Sequence, residues 1–533
     1  MINFLLPLLV LFPLCGAFLV VLIPDKKYRI ADFLTPAITL GLLVIAIQLE
    51  LNVTGGSAQI YPVGGWLPPI GIFLNLDPFS GLVLVAVNIL GFAAAVYGLD
   101  YLRHYSAANR FQCLFLILMA GMNGVIISGD IFNIYVFLEI TSIASYALVA
   151  FGIKAEELEA GFKYAVMGII GSSFILLGIA LLYGLFGTLN LAHLQSLAVQ
   201  TRAPELSAVF GLLLTGFLLK AAAVPFHTWL PDAHSSAPAS ISALLSGAVV
   251  KVLGVYLAVR IFFSVFYAPA QDSFLIIMRL CGGLSMVLGA IMALAQKDLK
   301  RIFAYSTISQ VGYILLSFGL GTPLGIVAGS FHLFNHAVSK SLLFFNAGAV
   351  EEQTGSRDIE TLRGLGETMP QTAALGTVGA LSTAGMPPFA GFWSKLLIII
   401  ASFQAGFLGY GTAALLTSIL TLSYFVTLQQ RIFWEKPKDM PAHKRTETGP
   451  FMRTAMLILS LITIGGGILS LPTLRNRFFD SVSRVILPNP ALLTSVDSRT
   501  GVSPRDSRTG VSLRDSRTGV SPVGVSDAGG AQP

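Results

Sequence analysis

Charge is scarce in this chain. Only 11% of its 533 residues are Asp, Glu, Lys or Arg, while 54% are hydrophobic. Ordinary soluble domains carry roughly 25% charged residues, so a soluble globular protein is excluded and a polytopic membrane protein is indicated. Cysteine is scarcer still. Cys15, Cys113 and Cys281 lie in separate apolar segments, which rules out a disulfide framework or a Cys-based metal site. The N-terminal MINFLLPLLVLFPLCGAFLVVLIPDKK has no basic n-region, and its apolar run is long enough to span a bilayer. It reads as a retained first helix, not a cleaved signal. Nothing in the chain suits a flavin, an iron–sulfur cluster or a nucleotide, so no cofactor is expected. The net charge of +6 would suit nucleic acid, but the positions of the basic residues point elsewhere.

What is present is a long series of apolar runs. A span needs about 20 apolar residues, and that rule places spans near 2–23, 31–51, 79–99, 111–128, 131–152, 162–185, 206–227, 240–262, 274–295, 302–320, 325–350, 372–400, 404–430 and 453–472. The expected fold is thus an all-α polytopic membrane protein with about fourteen transmembrane helices. Four regions follow: N-terminal helices over 1–110, a core over 111–430, a loop and last helix over 431–473, and a disordered low-complexity tail over 474–533. The tail carries DSRTGVSPR, DSRTGVSLR and DSRTGVSPV, a nine-residue repeat with only one Val or Leu to bury per unit.

Loop charges orient the chain. With the N-terminus outside, eighteen basic residues fall on the inner side, among them Lys26, Lys27, Arg103, Arg110, Lys154, Lys297, Lys300, Arg301, Arg357 and the run from Arg431 to Arg453. The outward loops between spans hold only three basic residues, Arg202, Arg260 and, near a helix end, Arg279. Positive charge stays cytoplasmic, so an N-terminus-out protein of a bacterial inner membrane is the expectation. The basic residues answer to the lipid bilayer, and no nucleic acid is expected.

Against this background five charges stand out inside apolar runs: Glu139, Lys220, Lys251, Lys340 and Lys395. An ionised group at the bilayer centre costs about 2.5–3.5 kcal/mol on insertion scales, so these residues point to a pathway for protons or small cations. Lys220 and Lys395 each lie beside a proline break, at Pro225 and at Pro387–Pro388. Proline removes a backbone donor, and lipid cannot satisfy the carbonyls it frees. Two such breaks, one lysine before and one after, suggest an inverted repeat. Glu139 is the expected ion-pair partner of Lys220, because separating such a pair raises the Glu pKa, lowers the Lys pKa and so moves a proton.

Lys251 sits mid-span. His332, His336 and Lys340 recur every fourth residue, which makes one helix face titratable and suited to a proton relay. The two histidines have no nearby carboxylate to complete a metal site, so no metal is expected. His227, Asp232 and His234 lie at the inward end of the first broken helix and form a possible cytoplasmic mouth, although a capped, solvated loop explains them equally well.

Several long motifs occur in order. They are GDIFNIYVFLEITSIASYALVAFG, LLKAAAVPFHTWLPDAHSSAPASISALLSGAVVK, QKDLKRIFAYSTISQVGYI, HLFNHAVSKSLLFFNAG and GMPPFAGFWSK. Over about residues 65–430 the chain resembles the proton-antiporter-like membrane subunits. These are the large subunits of respiratory complex I, of membrane-bound hydrogenases and of Mrp-type multisubunit cation/proton antiporters. GGWLPPIGIFLNLDPFS and GDIFNIYVFLEI look most like the D-type subunit of the Mrp antiporters.

The resemblance implies fourteen helices with two inverted five-helix repeats, each holding a broken helix. It implies a proton-conducting role in a heteromultimer, with protons and a monovalent cation such as Na+ as the transported species. Glu139 would be the conduction glutamate and Lys220 its partner. Lys251 would link the half-channels, His332, His336 and Lys340 would form the relay, and Lys395 would be the terminal group. The alternative within the resemblance is a proton-pumping subunit of a redox enzyme, a hydrogenase or an NADH:quinone oxidoreductase.

Overall fold

The structure, a computed structural model, describes residues 4–23, 28–54, 58–66, 71–105, 107–198, 205–266, 271–435 and 446–487. Lys26, Lys27, Arg202, Lys436, Lys438, Lys444, Arg445 and the repeats from Asp497 lie outside them. Eleven helices among the described residues are long and apolar enough to cross a membrane. The other three expected spans differ in kind. Two are the interrupted helices. The third, Pro323–Thr354, is long enough at 32 residues but polar along much of its length.

In chain order, α1 (Leu5–Leu22) and α2 (Tyr28–Val53) are followed by a hairpin, β1 (Gln59–Pro62) against β2 (Phe73–Leu76), with Tyr61 opposite Leu74. This hairpin falls between the spans expected near 31–51 and 79–99, so the connection there is partly β and the described chain is not wholly helical. Next come α3 (Pro78–Tyr101), α4 (Ala108–Ile127), α5 (Ile131–Val149) and α6 (Ala155–Phe186). A short α7 (Leu191–Ala198) precedes α8 (Glu205–Lys220) and α9 (Trp229–Ser236), with α10 spanning Ala239–Ser264. The second half runs through α11 (Gln271–Leu294), α12 (Leu299–Gly319), α13 (Pro323–Thr354), α14 (Pro370–Ala384), α15 (Ala390–Gln404), α16 (Leu408–Gln429) and α17 (Pro450–Gly465). Two short helices, Pro472–Phe478 and Asp480–Ile486, continue beyond the point where the tail is expected to begin at 474. Buried Phe479, Val482 and Ile486 seat this stretch on the bundle, with Phe479 and Phe331 4.8 Å apart between ring centroids, so it has an apolar face to bury that the repeats lack.

Helix ends are tied by carboxylates, as expected where orphan backbone N–H groups have little water to bond. Asp130 caps α5 by accepting from Phe132 and Asn133 at 3.0 and 2.9 Å, and Asp298 accepts from the Arg301 amide at 2.9 Å. Two caps come from far along the chain. Asp100 accepts from the Phe451 amide at 2.7 Å, and Glu447 accepts from the Gln371 amide at 3.0 Å. These pin α17 and the second broken helix to the bundle. α11 and α12 approach backbone to backbone at Gly282 and Gly312, where an added Cβ would overlap main-chain atoms of the other helix. Small residues serve this purpose in lipid, where close packing replaces the hydrophobic effect.

The outer faces of α1, α6 and α16 carry exposed Phe18, Ile169 and Leu416. α10, by contrast, is wholly enclosed. The inner helices therefore carry the unusual chemistry. Arg260 and Lys300, both read as loop charges in the sequence, lie buried at 8% and 2% exposure. Arg260 pairs with Asp77, and Lys300 pairs with Glu351 at 2.6 Å. A partner brought by the fold lets a basic residue stay inside.

A buried line of bases as the candidate functional site

The first break opens after Lys220. α8 ends there, and the next residues leave helical geometry: Ala222 takes φ +50°, and the Val224–Pro225 peptide is cis. The freed backbone groups find partners. The Val224 amide donates to Ser285 Oγ at 2.8 Å, and the Trp229 indole donates to the Leu219 carbonyl at 3.3 Å. That is how a broken helix persists inside a membrane protein. Lys220 Nζ donates to Ser142 Oγ at 2.9 Å and to the Tyr146 hydroxyl at 3.3 Å, both on α5.

The direct Glu139–Lys220 ion pair expected from the sequence is not formed. Ser142 and Tyr146 lie one and two turns further along the Glu139 face of α5 and take the ammonium first. Glu139 is half-buried, with Oε1 unpartnered, and remains within electrostatic reach of Lys220.

The second break mirrors the first in chemistry but not in detail. α14 ends at Ala384, Gly385 takes φ +89°, and the Pro387–Pro388 peptide is cis. Lys395, one turn into α15, reaches back and donates to the Thr383 carbonyl at 2.8 Å and the Ala384 carbonyl at 3.4 Å. An ammonium at a helix C-terminus meets the negative end of the helix dipole. Pro225, Pro387 and Pro388 are themselves exposed, so each break turns at the subunit surface while its lysine points inward.

Between the breaks the bases form a sequence. Lys251 lies in a π-helical stretch of α10, and its ammonium donates to the Ser246 carbonyl. A wider helical turn leaves carbonyls free for such a bond, and π turns recur at functional positions. On α13, Lys340 donates to Ser306 Oγ and, at 3.2 Å, to the Phe303 carbonyl. It is flanked by the rings of Phe303 and Phe425, with centroids 5.5 and 5.3 Å away. His336 comes next, with neither ring nitrogen bonded to protein and its ring 6.1 Å from that of His332. His332 Nδ1 lies 2.9 Å from Ser394 Oγ, and Nε2 lies 3.2 Å from Gln310 Oε1. Ser394 adjoins Lys395, which stands 5.0 Å from the centre of the Tyr313 ring. The expected order Lys340, His336, His332, Lys395 is thus a spatial order.

The three residues expected at a cytoplasmic mouth are not joined to one another by any hydrogen bond or ion pair among the described residues. Asp232 is tied into surface ion pairs with Lys163 and Arg301, both at 3.1 Å. His227 is half-buried. His234 is fully buried and stacked on Phe344 at 4.8 Å, one turn beyond Lys340, with both ring nitrogens unpartnered. Sequence reasoning missed Glu50, Asp77, Arg260 and Lys300 as buried charges. Glu50 and Asp77 sit at the ends of apolar runs, where a charge reads as interfacial, and only an unbroken pattern around them would have signalled burial.

None of the four lysines on the line has a carboxylate among its hydrogen-bond or ion-pair partners in the described residues. All four are at most 5% exposed. Several unpaired positive charges in one low-dielectric interior repel strongly, so the line has more bases than protons it can hold at once. That is the condition for a proton to be passed along it.

The family profile described as "NADH:quinone oxidoreductase/Mrp antiporter, TM" matches residues 128–421, which include every base on this line. The chain belongs to this family. It is 34% identical over 453 residues to the N subunit of the NADH-quinone oxidoreductase of Desulforudis audaxviator, covering 83% of this chain and 90% of the relative. It is 31% identical over 466 residues to the D-type subunit of the Na(+)/H(+) antiporter of Alkalihalophilus pseudofirmus, covering 86% and 93%. Its fold is similar to a chain of the Mrp complex from Dietzia sp., with TM-score 0.84 and 27% identity over 93% of this chain and 99% of that one. It is equally similar, with TM-score 0.84 and 35% identity over 90% and 98%, to a chain of the membrane-bound sulfane sulfur reductase, an archaeal respiratory complex. Membership of the NADH:quinone oxidoreductase/Mrp antiporter family agrees with the integral membrane architecture and with the helix order described above.

Proposed function

We propose that the chain is the proton-conducting subunit of a multisubunit monovalent cation/proton antiporter. It crosses a bacterial plasma membrane fourteen times, with its N-terminus outside and its two broken helices in inverted repeats. Protons exchange between Glu139 and Lys220 in the first half, pass Lys251, and move along Lys340, His336 and His332 to Lys395. The observation that carries this reading is the series of buried bases whose hydrogen-bond and ion-pair partners, among the described residues, include no carboxylate. Hydroxyl and imidazole neighbours along it can relay a proton, and carbonyls hold the ammonium groups in place. Other subunits would supply the cation path.

A second reading is favoured by one observation: identity is higher to the sulfane sulfur reductase chain, at 35%, than to the Mrp chain, at 27%. In that case the same line is driven by electron transfer in a partner. Everted membrane vesicles carrying the complex test both. Proton flux that follows an added Na+ or K+ gradient without an electron donor supports antiport. Flux that requires an electron donor and ignores the cation overturns it in favour of the redox-driven subunit. In either case Glu139→Ala or Lys220→Ala should reduce flux to background while the complex still assembles. Undiminished flux in assembled variants would remove the line from the mechanism.

A further inference from the structure

A second cluster of buried charge lies off this line, at the end of α3 opposite Arg103. Asp77 precedes α3 and is 4% exposed; Arg260 on α10 is 8% exposed and pairs with it. Asp77 Oδ1 also accepts from the amides of Phe79 and Ser80 at 3.1 and 2.9 Å, and from Ser80 Oγ at 3.0 Å. The Tyr256 hydroxyl lies 3.2 Å from Ser80 Oγ and donates to the Ile126 carbonyl at 2.8 Å. The Phe79 and Ser80 amides and the Ser80 hydroxyl are committed to Asp77, the Tyr256 hydroxyl donates to main chain, and Arg260 donates through Nη1 to Asp77. Glu50, in the last turn of α2, is the remaining member. It is 4% exposed, and neither carboxyl oxygen has a hydrogen-bond partner among the described residues. Its carboxyl group rests against Gly81, where an added Cβ would overlap Oε2.

The charge count is uneven. Two carboxyl groups lie beside one guanidinium, and the contact it makes is with Asp77 and not with Glu50. A bare carboxylate buried with neither donor nor counter-ion would cost several kcal/mol or more. A carboxylic acid there costs far less, and Gly81 makes the room it occupies. The other charged groups at this end have partners or solvent of their own: Asp130 accepts from the Phe132 and Asn133 amides at 3.0 and 2.9 Å, Asp272 is exposed, and on the helix Asp480–Ile486, which packs against α3, Asp480 lies 3.8 Å from Arg475 and Arg484 is exposed. α1 contains no acidic or basic residue, and the one such residue of α4, Arg110, is at its opposite end.

We propose that Glu50, Asp77 and Arg260 form a proton-binding site at the outer end of the bundle, with one exchangeable proton carried on Glu50. Asp77 and Arg260 remain an ion pair throughout. The site shares α10 with Lys251, and Tyr256 stands between Lys251 and Arg260 on that helix. The inference stands whether or not the line of bases conducts.

The test is carbodiimide labelling of the assembled complex in native membranes, followed by peptide mass mapping. Dicyclohexylcarbodiimide takes the acid proton onto a nitrogen and the carboxylate onto its central carbon, so it marks apolar, protonated carboxyl groups. Glu50 should be labelled at neutral pH. Its labelling should fall about tenfold per pH unit once the proton is lost, and Glu50→Gln should remove the adduct. Added NaCl or KCl at fixed pH should leave labelling unchanged. Protection by either salt would overturn the proposal in favour of a metal-cation site. Absence of labelling at Glu50 in a sample where another carboxyl group is marked would overturn it outright.

Discussion

The two broken helices solve one problem in two ways. Each puts a lysine beside freed carbonyls, yet Lys220 is held by the hydroxyls of Ser142 and Tyr146 on a neighbouring helix, whereas Lys395 is held by carbonyls of its own break. A hydroxyl can accept from an ammonium or turn and donate to a neutral amine, so it tolerates either protonation state. A carbonyl only accepts and favours the cation. On the proposed conduction role, Lys220 would exchange its proton with little rearrangement, whereas Lys395 on giving up its charge would lose a cap on the carbonyls of its break.

The largest effect should come from Lys395→Ala, which removes both a base from the line and the cap on the Thr383 and Ala384 carbonyls. An unsatisfied buried acceptor costs about 1–3 kcal/mol, so transport should be lost and the thermal midpoint of the purified complex should fall by several degrees. Lys220→Met should also abolish transport but leave the midpoint nearly unchanged, because Ser142 and Tyr146 can bond elsewhere. Equal melting losses in the two variants would break the comparison.

At the turns, Gly385→Ala should destabilise by about 1–2 kcal/mol, since a left-handed φ penalises a Cβ. The new methyl would also press on Lys395 Cδ, 3.1 Å from its position. Ala222→Gly, at φ +50°, should be close to neutral in equilibrium unfolding. There, relief of about 1–2 kcal/mol of strain is offset by lost methyl burial and by greater freedom of the unfolded chain.

The smallest effect belongs to the exposed Lys297–Glu360 pair, 2.8 Å apart. Its hydrogen bond and charge hold the Glu360 carboxyl below its ordinary value and the Lys297 ammonium above its own. A lowered carboxyl contributes stability above its unfolded value and loses it as pH falls through the folded one. A raised lysine loses its contribution as pH rises through its folded value. The pair is present at neutral pH but screened by solvent, so Glu360→Gln should leave melting and flux unchanged at neutral pH.

Much of the line was legible without coordinates. Glu139, Lys220, Lys251, Lys340 and Lys395 each interrupt an apolar run, and His332 and His336 share the helix face of Lys340. Local spacing and hydropathy carry that information. The partners were not legible. Ser142 lies 78 residues from Lys220, and Ser394 lies 62 from His332, and nothing local ties them together. Arg260 looked like an outer loop charge, because the Asp77 that makes its burial tolerable is 183 residues away.

By itself the sequence determined that the chain lives in a membrane, where its helices break, and which residues are too costly to bury without use. Each of those follows from the free energy of single residues in lipid. Only the tertiary structure decided that Lys220 meets hydroxyls and Lys395 meets carbonyls, that Glu139 stands off from Lys220, and that Glu50 is left without a donor. Hydrogen bonds and ion pairs are contacts between residues distant in the chain, and their geometry is set by how the helices pack.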